Sequence, residues 1–570
     1  MRVGPERMRI VGFALATAVL DPGIALSAQT YVLMEFNGTS PGDQLGSAVA
    51  ALGDLDGDGV PELIVGAPQG ASPAPGPGKA MVYSGGSGAL LLSLSGAMSG
   101  DRFGLSVAAA GDVDGDSVPD LLVGAPQGDA TVGSATGAGY VKVISGSTGS
   151  ELSSLSGTGL GDRFGFSVAG LGDVNGDGFS DVAVGAPFAD PGGVSDAGRT
   201  TVFSGASSGV LVVLDGTSAG DTLGWSLAAV GDLDGDTASD VAVGATQIFA
   251  LTSGTGYVLV ASGSSGSILF ALAGAGSSYD AFGWSVAGPG DVDGDGVPDI
   301  FVGDPEPIVP FGPGYAILFS GATGSPLHQI QAIYQHDLLG YSVAGGVDVD
   351  GMGSPDLIVG VPNSPAVGGH VEVHAGESFG TLLLTSTWTA GVGALGSAIA
   401  AGGDLNGDGF GDLLVGAPLA GSMSAGTAQV LSIAGVPSGS SVFGSPCAGS
   451  GGQPPLVQAT GGLPIVGSAG FGLALSNALG PAGVLLIAGP TAVSVPLGFI
   501  GLAGCTLLVD PQFVLPLTTS VTGVAFVSLP IPPVPALANG HVYFQFYVVD
   551  PGPAAIPGAM TQGLDLVILP

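Results

Sequence analysis

The acidic residues of this chain fall in a pattern. A nine-residue loop, Asp54-Leu-Asp56-Gly-Asp58-Gly-Val60-Pro-Glu62, returns at Asp112, Asp173, Asp232, Asp291, Asp348 and Asp404, at intervals of 56 to 61 residues. Positions 1, 3, 5 and 9 carry side-chain oxygens, and position 7 can offer its carbonyl. In chain order the candidate ligands are Asp54, Asp56, Asp58, Val60 and Glu62, then Asp112, Asp114, Asp116, Val118 and Asp120, then Asp173, Asn175, Asp177, Phe179 and Asp181. The next units supply Asp232, Asp234, Asp236, Ala238 and Asp240, and Asp291, Asp293, Asp295, Val297 and Asp299. The last two supply Asp348, Asp350 and Asp356, and Asp404, Asn406, Asp408, Phe410 and Asp412. Hard cations take six to eight oxygen ligands, and Ca²⁺ tolerates irregular cages. Glycines at positions 4 and 6 let the backbone wrap around one point. Metals that prefer imidazole or thiolate find neither in these loops.

Three or four carboxylates within nine residues repel one another unless a cation lies among them, so cation binding is expected to stabilise the fold by mass action. One such loop alone reads as turn chemistry, since Asp and Gly are common turn residues, but seven aligned copies do not. A helical EF-hand loop needs a Glu at position 12 and flanking helices. Here Pro61, Pro119, Pro298 and Pro355 stand at position 8 and apolar strand-like runs follow, so a strand–loop–strand site fits better. Up to seven Ca²⁺ sites are expected. The sixth is expected to be weak or empty, because Met352 replaces the position-5 acid.

Each loop needs elements to hold it, and the repeat supplies them. A short run such as Phe103–Ala108 precedes the loop, and an apolar run ending in Gly-Ala-Pro, Leu121–Pro126, follows it. Two more runs, Gly139–Gly146 and Glu151–Gly157, complete the unit. Runs of four to eight residues, rich in Val, Leu and Ile and bounded by Gly, Pro, Ser or Asp, are strands. Four strands per unit, repeated, predict propeller blades. In the third strand Ala80/Val82, Val141/Val143, Val258/Val260 and Val371/Val373 form one apolar face for packing on a neighbouring blade. The seventh unit lacks a fourth strand, whereas Tyr31–Gly38 resembles a fourth strand with no blade before it. This N-terminal strand is expected to complete the seventh blade and remove a sheet edge.

Composition bounds the rest. The chain has 570 residues, 107 Gly and 41 Pro, yet 45% are apolar and only 9% charged. Such a chain is folded and turn-rich, and long amphipathic helices are excluded. The net charge is −38, with 46 acidic residues against 8 basic. Basic residues this sparse cannot track phosphates, so nucleic acids and anionic membranes are excluded as partners. Arg2, Arg7 and Arg9, the apolar run Ile10–Leu20 and small residues around Ala25–Ala28 read as a secretory signal over residues 1–28. Residues 29–436 form the propeller. Residues 437–570 lack acidic loops, Lys and Arg, and read as a separate β-sandwich-like domain of open role. The uncharged stretch Gly483–Val509 is cut by Pro490, Pro496 and several glycines into strand-length pieces, which argues against a membrane span. Cys447 and Cys505 are either a free pair or one disulfide, the latter worth about 4 kcal/mol if unstrained.

These motifs resemble the FG-GAP repeat family, the propeller of integrin α-subunits and of many bacterial secreted proteins. Phe103-Gly104 with Gly124-Ala125-Pro126, and Phe164-Gly165 with Gly185-Ala186-Pro187, carry the resemblance across about residues 30–435. Leu replaces Phe at Leu45, Leu223, Leu339 and Leu395. The resemblance implies a seven-bladed ring, Ca²⁺ in loops on one face, and adhesion or protein contact at an extracellular location. It also implies a partner side chain received by aromatic residues at the channel mouth. Phe166, Trp225, Trp284 and Tyr341, each following the FG glycine, could form such an arc for a cation, a peptide or a sugar ring. Packing between blades is the alternative role for these rings. No nucleophile with a placed base and no phosphate loop is present. His370, Glu372 and His374 share one strand face that could hold a metal or simply be polar. The expected function is non-catalytic extracellular binding, with a lectin-like binder or a polysaccharide-active enzyme as alternatives. The ligand, protein or glycan, and the oligomeric state stay open.

Overall fold

The structure is a computed structural model. It describes residues 29–434 except 70–75, 128–136, 249–253, 275–279, 308–311, 333, 350–352, 365–367, 377–381, 388–392, 408 and 422–423, and beyond 434 the backbone of eleven strands between 440 and 567. The secretory signal, Cys447 and Cys505 lie outside the described residues. Two compact units divide at about residue 434. In the second, antiparallel strands form one larger sheet, centred on His541–Val549 and Gly483–Gly489, and two smaller ones.

The first unit is a seven-bladed propeller. Each blade is a four-stranded sheet in chain order, such as Ser106–Gly111, Asp120–Ala125, Tyr140–Ile144 and Glu151–Ser156 in blade 2. First strands lie side by side around the ring, with Ala48–Ala51 between Ser106–Gly111 and Ala398–Gly403. The second strands are buried on both faces, which explains their unbroken apolar character. Leu63, Ile64 and Val65, and Leu121, Leu122 and Val123, are fully buried. The third-strand faces Ala80/Val82 and Val141/Val143 pack as expected, Ala80 and Val82 against Leu121 and Val123 of the next blade. Apolar clusters occupy all seven blade interfaces, so the core is a ring of interfaces, and no blade buries its apolar faces alone.

The FG and GAP motifs are the two halves of one joint. A Cβ at Gly66 would lie 2.0 Å from the carbonyl oxygen of Gly104 in the next blade, and one at Gly124 would lie 2.2 Å from that of Gly165. Only glycine allows this approach, and Gly104 itself needs a left-handed φ of 86°. A serine two residues after the FG glycine latches onto the next blade. Ser106 donates to the Gly165 carbonyl at 2.9 Å, Ser167 to Gly224 at 2.7 Å and Ser342 to Gly396 at 2.7 Å, with Ser226 and Ser285 bonded likewise. Ala48 and Ala398 hold this position in blades 1 and 7.

The ring closes as the N-terminal pattern predicts. Gln29–Asn37 is the outermost strand of blade 7, beside Thr427–Ala434. Thr427 donates to Asn37 Oδ1 at 2.9 Å, and Gln429 Nε2 donates to Glu35 at 3.0 Å.

Candidate metal centres

Each acidic loop is tied by its own side chains. In blade 1 the two oxygens of Asp54 accept the backbone N–H groups of Gly57 at 2.7 Å and Gly59 at 2.9 Å. The same pair recurs at Asp112, Asp173, Asp232 and Asp291. Position 6 has a left-handed φ, 87° at Gly59, which explains its glycine.

Position 9 is the fully buried anchor. Asp120 accepts Val113 N–H at 2.8 Å through one oxygen and, through the other, Gly146 N–H at 2.9 Å from the turn between the third and fourth strands. Asp181, Asp240, Asp299 and Asp356 repeat this bridge. In blade 1 the residue is Glu62, fully buried. Its Oε2 accepts Leu55 N–H, while Oε1 is buried with no hydrogen-bond partner. Burial pushes the Asp240 carboxyl up to about 6, against the backbone bonds from Leu233 and Gly263.

The loops converge to different degrees. Oxygens of Asp54, Asp56, Asp58 and Glu62 lie within 4.8 Å of one another, as do those of Asp112, Asp114 and Asp120, of Asp232, Asp234 and Asp240, and of Asp291, Asp293 and Asp295. In blade 3 Asn175 turns its amide nitrogen onto Asp177, at 3.0 Å. Asp350, Met352 and Asp408 lie outside the described residues. Of the sixth loop, Asp348 accepts Gly353 N–H at 2.8 Å and Asp356 is buried; in the seventh, Asp412 accepts Leu405 N–H at 2.8 Å. All-oxygen, multiply anionic sets suit a hard divalent cation, and the orphaned Glu62 oxygen fits one. Residues Asp54, Asp56, Asp58 and Glu62 would hold it in blade 1, and there it would neutralise the repulsion that burial amplifies.

Phe166, Trp225, Trp284 and Tyr341 meet ring to ring across four blades, with centroids 4.8, 5.0 and 5.3 Å apart and planes tilted by about 50°. All four are half-buried. Phe188 adds an edge contact to Trp225 at 6.4 Å, and the Arg163 guanidinium lies 4.4 Å over Phe188. In blades 3 to 6 the first strand begins at this arc and ends at its acidic loop, so arc and loops lie at opposite ends of the strands.

His370 and His374 flank Glu372, with Nε2 to carboxylate distances of 3.3 and 3.2 Å. Oxygens or nitrogens of these three do not converge as those of the acidic loops do.

A second recurring acid escaped the sequence reading. Asp43, Asp101 and Asp221, two residues before the Phe or Leu of FG, are buried turn locks rather than ligands. Asp221 accepts Thr217 N–H, Ser218 N–H, Gln247 Nε2 and the Tyr257 hydroxyl. Its signal was present in the repeat, at a fixed offset from FG.

The FG-GAP repeat profile matches residues 45–89, 103–144, 164–203 and 395–431, which are blades 1, 2, 3 and 7. Chicken integrin alpha-V is 33% identical over 213 residues, 35% of this chain and 20% of that protein. Drosophila melanogaster integrin alpha-PS2 is 34% identical over 215 residues, 34% and 14% of the two chains. Human integrin alpha-7 is 40% identical over 157 residues, 26% and 13%. The chain thus spans a fifth or less of these relatives. No helix among the described residues is long and apolar enough to cross a membrane. With paired FG and GAP glycines at the blade joints and acidic loops in register, this chain carries FG-GAP repeats, matched in four of its seven blades, and about a third of it is similar in sequence to integrin α-subunits.

Proposed function

We propose that the protein is a secreted, non-catalytic, Ca²⁺-binding propeller that docks an extracellular ligand. The observation that carries this reading is the recurrence of clustered carboxylate oxygens in blades 1, 2, 4 and 5, including a buried Glu62 oxygen with no partner. Ca²⁺ held there stiffens one face of the ring, and the opposite face is left to meet a partner. The aromatic arc is the contact region, because its four partly buried rings join into one continuous apolar strip.

A lectin-like function is the second reading. It is favoured by Arg163 beside the arc, a positive charge that works against a cationic guest and not against a neutral sugar ring. Arrays of glycans and of extracellular-matrix peptides, probed with the wild type and with Trp225→Ala/Trp284→Ala, test both. Binding that the double substitution lowers at least tenfold is expected. Binding unchanged by it would remove the arc from the account, and a glycan-only response would select the second reading.

A further inference from the structure

The five loops described in full are not equivalent, and in blades 2 and 4 the place of the position-5 acid follows one side chain outside the loop. The turn between the third and fourth strands folds back over the loop in each blade. Its third residue is Ser147 in blade 2 and Ser264 in blade 4, but Gly86 in blade 1, Ala206 in blade 3 and Ala322 in blade 5.

Ser147 Oγ donates to Asp116 Oδ2 at 2.5 Å, and Ser264 Oγ donates to Asp236 Oδ2 at 2.5 Å. The other oxygen of each carboxylate accepts a backbone N–H, from Val118 or Ala238, at 2.9 Å. Both oxygens of this position-5 acid are therefore engaged. In blades 1 and 5 no hydroxyl reaches it. Asp58 and Asp295 keep the equivalent backbone bond, from Val60 at 2.8 Å and Val297 at 2.9 Å, and their carboxylates join the cluster of converging oxygens, with Glu62 in blade 1 but without Asp299 in blade 5. Asp116 and Asp236 do not join theirs. In blade 3 position 3 is the amide Asn175, so the loop has one acid fewer, and Asp177 Oδ2 accepts from Asn175 Nδ2 at 3.0 Å and from Ser204 Oγ at 3.4 Å. In blades 2 and 4, where a serine hydroxyl takes the outer oxygen of position 5, that acid leaves the cluster.

We propose that Ser147 and Ser264 grade the cation sites: each hydroxyl draws the position-5 carboxylate out of the oxygen cluster, so the loops of blades 2 and 4, with three converging acids each, hold Ca²⁺ more weakly than that of blade 1, with four. This inference rests on the cation reading of the loops, for which the orphaned buried oxygen of Glu62 is the independent support. The serines are positioning residues; they compete for a ligand and are not ligands themselves. A Ca²⁺ site has a use for each additional carboxylate, because charge count sets affinity in oxygen cages. The physical consequence is a ring whose cation sites fill in order as Ca²⁺ rises.

The test is calorimetric titration of the chelator-stripped full chain with CaCl₂. In the wild type, a tighter and a weaker class of sites is expected. In Ser147→Ala/Ser264→Ala two sites should gain about tenfold in affinity, the scale of one hydrogen bond to a charged group. Ser147→Thr/Ser264→Thr, which keeps both hydroxyls, should titrate as the wild type does. Ala322→Ser, which places a hydroxyl opposite Asp295 in blade 5, should weaken one site by a similar factor. Melting in chelator confirms that each variant folds, and Ala322→Ser keeps the proposal testable if the double alanine variant does not. Unchanged or weakened binding in the alanine variant, with normal wild-type binding, would overturn this inference alone. Absence of binding by every variant and the wild type at millimolar Ca²⁺ would overturn it together with the cation reading.

Discussion

Thr237 sits at position 6 of the fourth loop with φ of 75°, where Gly59, Gly178 and Gly296 stand in other blades. A β-branched residue in the left-handed region is an outlier, and that conformation costs about 1–2 kcal/mol. Thr237→Gly should therefore raise stability by about 1 kcal/mol in urea unfolding, measured in chelator so that cation binding does not enter. The histidine pair gives a prediction in pH. Burial alone would push Glu372 up, but hydrogen bonds from His370 and His374 hold it down at about 2. Burial alone would lower His370, and its bonds to Glu372 and the Gly368 carbonyl raise it instead. The Glu372 contribution is present above its ordinary value of 4.5 and is lost as pH falls toward 2. The His370 contribution is full below 6.5 and is lost as pH rises through the higher native value. Relative to Glu372→Gln, the wild type should be most stabilised between pH 4.5 and 6.5. The paired comparison cancels Asp304, whose carboxyl burial pushes up to about 7. A stability difference flat across pH 2 to 8 would refute the coupling.

At the scale of elements, the blade joint was half legible. Gly-Ala-Pro and Phe-Gly mark the ends of strands in the repeat, and the strand periodicities place them, but only three dimensions reveal that Gly66 receives the Gly104 carbonyl of the next blade. The serine latch shares that history, since Ser106 looks like one polar residue on a strand until Gly165, 59 positions on, comes to face it. Ser342→Ala should lower stability by about 1 kcal/mol, the net worth of one hydrogen bond. Ala48→Ser, which supplies the latch that blade 1 lacks, should raise it by a similar amount in chemical denaturation. The acidic loops were legible because ligand type, spacing and glycine positions all lie within nine residues. Their grading was not, because Ser147 reaches Asp116 from 31 residues away.

Over the whole molecule, the repeat arithmetic foretold a closed ring, and Gln29–Asn37 closes it in blade 7. Adjacent loops are also in register with one another: the position-8 Pro119 packs against Gly53 before the loop of blade 1, and Pro298 against Gly231 before that of blade 4. A cation that orders one loop therefore braces the next blade, and clustered charges on blades 1, 2, 4 and 5 should make the ring depend on divalent cation as a unit. Thermal unfolding of the full chain in excess Ca²⁺ and after chelation tests this most directly. The account predicts that chelation lowers the midpoint by several degrees and that added Ca²⁺ restores it, since binding to the native state alone shifts unfolding by mass action. An identical midpoint with and without Ca²⁺ would contradict it.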